Sequence, residues 1–208
     1  MTHAGDDGGL AYLRRMYRLK TTPREGWVRL GVADPESVAD HTWGTAALCM
    51  AFADAAGVDA GEALEIAVAH DLAESVTGDV ATRDVGLDAA ARARRDAAKA
   101  EAEAAAMTHL ETRPGDLPSV AARARIRARW EAYEARASEA ARFVRDMNLV
   151  DMALQARLYA EAVEAGADDA GGGGRRVSAP FDEFLASAEA RASTDVGRAL
   201  LARVREGA

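Results

Sequence analysis

Apolar residues along this chain recur at helical spacing and almost nowhere alternate with polar ones, the pattern that half-buried strands would need. The positions between them are filled largely by alanine, leucine, arginine and glutamate, all strong helix formers. The pattern predicts an all-α chain. Asp34-Pro35-Glu36 reads as a helix start, with an acid as N-cap, proline in the first turn and a carboxylate near the positive end of the helix dipole. That helix spans about 35–55 and stops at Gly57. Asp59, with Glu62 three residues on, resembles a capping box. It opens a short, largely buried helix through Leu64, Ile66, Val68 and His70 that ends before Gly78.

From 88 to 112 the chain is rich in Ala, Arg and Glu with few large apolar residues, so a helix there has a narrow buried stripe and a broad solvated face. The run Arg113-Pro114-Gly115-Asp116-Leu117-Pro118 breaks it, and helices over 119–135 and 138–165 follow. Gly171-Gly172-Gly173-Gly174 marks a flexible loop before a last helix over 181–205. The expected organisation is a disordered tail over 1–9, one domain over 10–166, a glycine-rich loop over 167–180 and a C-terminal helix over 181–208 packed on the domain.

A length of 208 residues suits a single domain with a substantial core. The net charge of −8 argues against a nucleic-acid polymer as partner, because binding phosphate chains needs a basic face. A small anion held by one or two arginines remains compatible with it. The single cysteine, Cys49, permits neither an intramolecular disulfide nor a thiolate metal cluster, which points to a reducing, cytoplasmic setting. No run of about 18 uncharged apolar residues offers a membrane span.

Chemistry concentrates around two of the four histidines. His41 sits within Glu36-Ser37-Val38-Ala39-Asp40-His41-Thr42-Trp43, and His70 is followed at once by Asp71. Imidazole and carboxylate together bind borderline divalent metals, whose use would be to generate a hydroxide nucleophile near neutral pH. Neighbouring residues on a helix point roughly 100° apart, so His70 and Asp71 share an ion only at a seam. The stretch from His70 to Asp79 also carries Glu74, and such a density of acids in a buried segment rarely serves packing. His3 and His109 are read as ordinary core or surface residues, and Trp130 and Tyr133 as core.

These motifs come in a fixed order. Leu19-Lys20-Thr21-Thr22-Pro23-Arg24-Glu25-Gly26-Trp27-Val28 precedes Pro35-Glu36-Ser37-Val38-Ala39-Asp40-His41, then His70-Asp71-Leu72-Ala73-Glu74 with Gly78-Asp79-Val80. Trp130-Glu131-Ala132-Tyr133-Glu134, Phe143-Val144-Arg145 and Leu154-Gln155-Ala156 follow. The set resembles the HD-domain 5′-deoxynucleotidase family over roughly 10–165. The resemblance implies a helical bundle with a metal site between helices, a nucleoside 5′-monophosphate as substrate and a homodimer. It implies that His41, His70 and Asp71 are metal ligands and that Arg24 and Trp27 contact phosphate and nucleoside. It further implies that Glu74 and Asp79 work on the attacking water and the leaving alcohol, with Glu131 as a contact to the sugar. One divalent ion, manganese, cobalt, iron or zinc, fits such a ligand set.

The chain departs from the family pattern at the fourth ligand, where Asn148 aligns with an aspartate. An amide carbonyl can coordinate but brings no charge. Asp151, one turn on, is the alternative ligand. Thr82, where proline is common, touches only loop stiffness. A competing reading is a catalytically weakened nucleotide-binding regulator of the same fold, drawn from Asn148 alone. A two-iron oxygenase would need more histidines than the chain supplies, and a plain helical scaffold would bind no metal.

Overall fold

The computed structural model describes residues 8–81, 88–111, 119–164 and 181–207. The glycine-rich loop, the break at 113–118, Thr82 and residues 1–7 of the expected tail lie outside them. Every regular element among the described residues is helical: α1 (Gly8–Arg18), α2 (Glu25–Leu30), α3 (Val38–Ala56), α4 (Ala60–Ala69), α5 (Glu74–Thr77), α6 (Ala89–Glu111), α7 (Val120–Ala135), α8 (Glu139–Glu164), α9 (Phe181–Arg191) and α10 (Asp195–Glu206). The all-α expectation holds, and α1 and α2 add two helices that the sequence pattern had left unassigned.

Helix α8 is the axis of the fold and packs against α3, α4, α9 and α10. Ile66, Phe143, Met147, Leu149, Leu185 and Leu201 close the main core between them. A second core joins α1, α6 and α7 through Tyr12, Met107, Leu110 and Trp130. As expected, α4 starts from the Asp59 cap, whose carboxylate accepts from the Glu62 amide at 2.6 Å, and α3 closes at Gly57.

Three expectations need correction. Helix α3 does not start at Pro35, because residues 22–24 and 36–38 run side by side. The Arg24 amide donates to the Glu36 carbonyl at 2.9 Å and the Val38 amide to that of Thr22 at 2.9 Å. Ser37 is the N-cap instead, in a reciprocal capping box with Asp40. The helix from Asp59 ends at Ala69 and, after a turn over 70–73, resumes only as the short α5. The single last helix is two, because the fully buried Asp146 carboxylate takes the amides of Ser193 (3.0 Å) and Thr194 (2.6 Å) and the Thr194 hydroxyl (2.7 Å). A Cβ on Gly197 would stand 2.5 Å from an Asp146 oxygen, so only glycine lets α10 approach this close.

Candidate active site

Two helix ends meet where the chemistry-bearing residues lie. The Ser37 cap fixes the start of α3 and places His41 one turn inside it, fully buried. The termination of α4 at Ala69 frees His70 and Asp71 from a common helical register, and the seam required for both to reach one point is this turn.

The three side chains converge. His41 Nε2 lies 3.4 Å from His70 Nε2, and Asp71 Oδ2 lies 3.7 Å and 3.2 Å from them. The opposite ring edges are already engaged. His70 Nδ1 stands 2.6 Å from the Ala67 carbonyl, which can only accept, so this nitrogen carries the proton. His41 Nδ1 lies 2.6 Å from Asp151 Oδ2, and burial pushes that carboxyl up to about 7. Burial, reinforced by Arg24 and His70, holds His41 well below its ordinary range, so the ring is neutral. Both Nε2 atoms thus face the same point. Asp71 Oδ2, buried beside them, has no hydrogen-bond partner. Burial would raise Asp71, but His70, Arg24 and His41 outweigh it and hold the carboxyl well below the usual range. Two imidazole nitrogens and a carboxylate oxygen that has no hydrogen bond converge on one point, an arrangement that fits a divalent metal.

Arg24 closes the mouth of this group, with Nη1 3.5 Å from Asp71 and 3.6 Å from Asp79. Burial works against its charge, but Asp71, Asp79, Glu74 and Glu36 outweigh it and lift its pKa above the ordinary range. Asp79 is held by the Glu25 amide at 2.7 Å. Glu74 is 2% exposed, and burial, with Asp71 and Asp79 adding to it, pushes its carboxyl up to about 10. Lys99 gives Glu103 a contact of 2.7 Å and reaches Glu74 only at 3.5 Å, while Glu74 Oε2 has no partner.

Asn148 lines the same cavity as Asp71. Its amide nitrogen donates to the Tyr133 hydroxyl at 2.9 Å, which leaves the carbonyl oxygen, the atom a metal needs, without a partner among the described residues. Asp151, the alternative ligand, falls in a second group that could hold an ion, with Glu36 and His41. Its carboxylate lies behind His41, on Nδ1, where it orients the ring and fixes the tautomer. Gly44 makes room for it, since a Cβ there would fall 1.9 Å from Asp151 Oδ1.

A sequence profile described as HD domain matches residues 16–170. The chain belongs to the HD-domain family. The 5′-deoxynucleotidase HDDC2 of Mus musculus is 34% identical over 152 residues, 73% of this chain and 70% of that protein. The corresponding Danio rerio protein is 32% identical over 155 residues, 74% and 71% of the two chains. In fold the chain is similar to a conserved hypothetical protein from Pyrococcus furiosus, with a TM-score of 0.65, 26% identity, and 95% of this chain and 99% of that one covered. His41, His70 and Asp71, a group that could hold a metal ion, all lie within the matched residues.

Around the HD-domain centre lies a cavity of about 500 Å³ lined by Arg24, Trp27, Asp71, Glu74, Asp79 and Asn148 among others. Trp27 forms part of an apolar side with Leu149, Met152 and Phe184. Its indole is only 3% exposed, donates to Glu36 at 2.8 Å and packs against Phe184 with ring centres 4.7 Å apart. Glu131 does not reach the cavity: it is exposed and bonds Arg127 one turn before it at 2.6 Å, whereas Glu134 lines the wall. Sequence reasoning also missed Tyr133 as more than core. Its ring packs on His70 at 5.0 Å and its hydroxyl takes Asn148 and Arg145. The Trp-Glu-x-Tyr-Glu spacing contained the signal, since Tyr133 and Trp130 share one helix face with a polar group to satisfy. Phe184 had none, because its contact is made by a distant segment.

Proposed function

We propose that this protein removes the 5′-phosphate from a nucleoside monophosphate, a deoxynucleotide in the first instance. The observation that carries the reading is the convergence of two imidazole nitrogens and a carboxylate oxygen that has no hydrogen bond, beside a buried arginine. His41, His70, Asp71 and the carbonyl of Asn148 would hold one divalent ion, with Asp151 behind His41. Such an ion supplies Lewis-acid polarisation of phosphate and an acidified water.

The chain's own residues do the rest. Arg24 offers a buried guanidinium to two phosphate oxygens. The apolar side formed by Trp27, Leu149, Met152 and Phe184 takes the nucleoside. Glu74 keeps its proton at neutral pH and is the donor for the leaving 5′-oxygen. Asp79, anchored by the Glu25 amide, orients the water on the arginine side. Water contributes a hydroxyl to phosphorus and a proton to the departing alcohol, and the bond between phosphorus and the 5′-oxygen breaks.

A phosphate-release assay with deoxy- and ribonucleoside monophosphates tests this. Release is expected with manganese or cobalt and is expected to vanish with chelator or in His70→Ala. No release from any of them by fully metal-loaded protein would overturn the reading. The neutral Asn148 favours a second reading, a nucleotide-binding regulator with weakened catalysis. A large rise in turnover in Asn148→Asp, from a near-zero native rate, would support it.

A further inference from the structure

The catalytic cavity does not end at the metal centre. A second cavity of about 550 Å³ adjoins it, and the two share Lys99, Glu103, Glu134, Arg145 and Arg191 as wall. Its character is the reverse of the protein's. On a chain of net charge −8, six basic side chains line it against three acids. Two of the six, Arg136 and Arg191, make no side-chain hydrogen bond or ion pair among the described residues, and Arg145 gives its guanidinium to the Tyr133 hydroxyl, not to a carboxylate. Burial, with Arg145 and Arg136 adding to it, lowers the pKa of Arg191. The fold gains nothing from bringing these cations together, since like charges at close range repel. An anion placed between them would reverse the sign of the interaction and gain forked hydrogen bonds.

The geometry points to a second anion subsite at Arg145 and Arg191, so that the preferred substrate is a nucleotide carrying a second phosphate remote from the one that is hydrolysed. This rests on the nucleotidase reading above. Only the ester to the 5′-oxygen is cleaved, water dividing between phosphorus and that oxygen, and the second phosphate leaves intact on the product. Arg145 stands on α8 within the residues that match the HD-domain profile, and Arg191 on α9 beyond them, so the subsite joins the matched region to the C-terminal helices.

The test compares deoxyadenosine 3′,5′-bisphosphate with deoxyadenosine 5′-monophosphate on the metal-loaded native protein, Arg191→Gln and Arg191→Lys. A charge-assisted contact gives an expected preference for the bisphosphate of about 10-fold in kcat/KM, carried by KM. Arg191→Gln should bring the ratio close to one while leaving the monophosphate within about twofold, and Arg191→Lys should restore part of the preference. Equal values in the native protein, or a preference that survives in Arg191→Gln, would overturn the subsite. If neither nucleotide is hydrolysed, the nucleotidase reading fails separately. Dissociation constants for the same two nucleotides, measured by calorimetry on the same three proteins, then decide the subsite by the same ratio.

Discussion

Two buried acids, Glu74 beside the metal centre and Asp146 at the junction of α8 with the C-terminal helices, show how one residue type serves two purposes. Asp146 is fully buried and fully partnered, holding the amides of Ser193 and Thr194 and the hydroxyl of Thr194. Glu74 is nearly as buried yet has one long contact to Lys99 and one oxygen with no partner. A buried carboxylate without donors is costly, and a fold tolerates it where the group has chemistry to do. The partnered acid ties elements together; the other keeps an unsatisfied oxygen in a cavity wall.

The largest effect expected from breaking this contrast is on turnover. Glu74→Gln keeps the shape and loses the proton, so phosphate release should fall by about 10²–10⁴-fold with the circular dichroism unchanged. A rate within a few-fold of native would remove Glu74 from the reaction. Asp146→Ala should act on the other side of the comparison. It leaves two backbone amides unpaired and should lower the unfolding free energy by about 3 kcal/mol in urea titration, while the folded fraction keeps its rate in the cold. A neutral result would mean that the junction is held by apolar packing alone.

Smaller effects sharpen the picture. Gly44→Ala pushes Asp151 away from His41 and should weaken metal affinity by about 10–100-fold, read by titration against a chelator. A last effect concerns pH. In metal-free protein, folded Glu74 keeps its proton to about 10, whereas the unfolded chain loses it near 4.5. Between those values the unfolded state binds fewer protons, so this group lowers stability as pH rises. Glu74→Gln should therefore melt progressively higher than native protein on going from pH 5 to pH 9, and a constant gap would contradict the raised pKa.

Much of the frame could be read from the chain. The Asp59 cap, the stop at Gly57 and the helices over 120–135 and 139–164 follow from local preferences that packing reinforces. The start of α3 could not, because pairing between 22–24 and 36–38 overrides the Asp34-Pro35-Glu36 signal, and that pairing is nonlocal. His41, His70, Asp71, Glu74, Arg24 and Asp79 were legible as a set because residue type and order carry them. Which acid of the α7 turn faces the cavity depends on helix rotation, and the structure turns Glu134 inward and Glu131 outward. Asp151 was visible as a neighbour of Asn148, but its position behind His41 depends on how closely α3 approaches α8 at Gly44.

The profile match stops at residue 170, yet Phe184 and Arg191 of α9 complete the cavity wall. Part of the cavity wall thus lies on a stretch of sequence outside the matched region. Changes in the last quarter of the chain can alter which molecule is admitted while the bond-breaking apparatus stays as it is, a route by which relatives sharing one chemistry come to serve different metabolites.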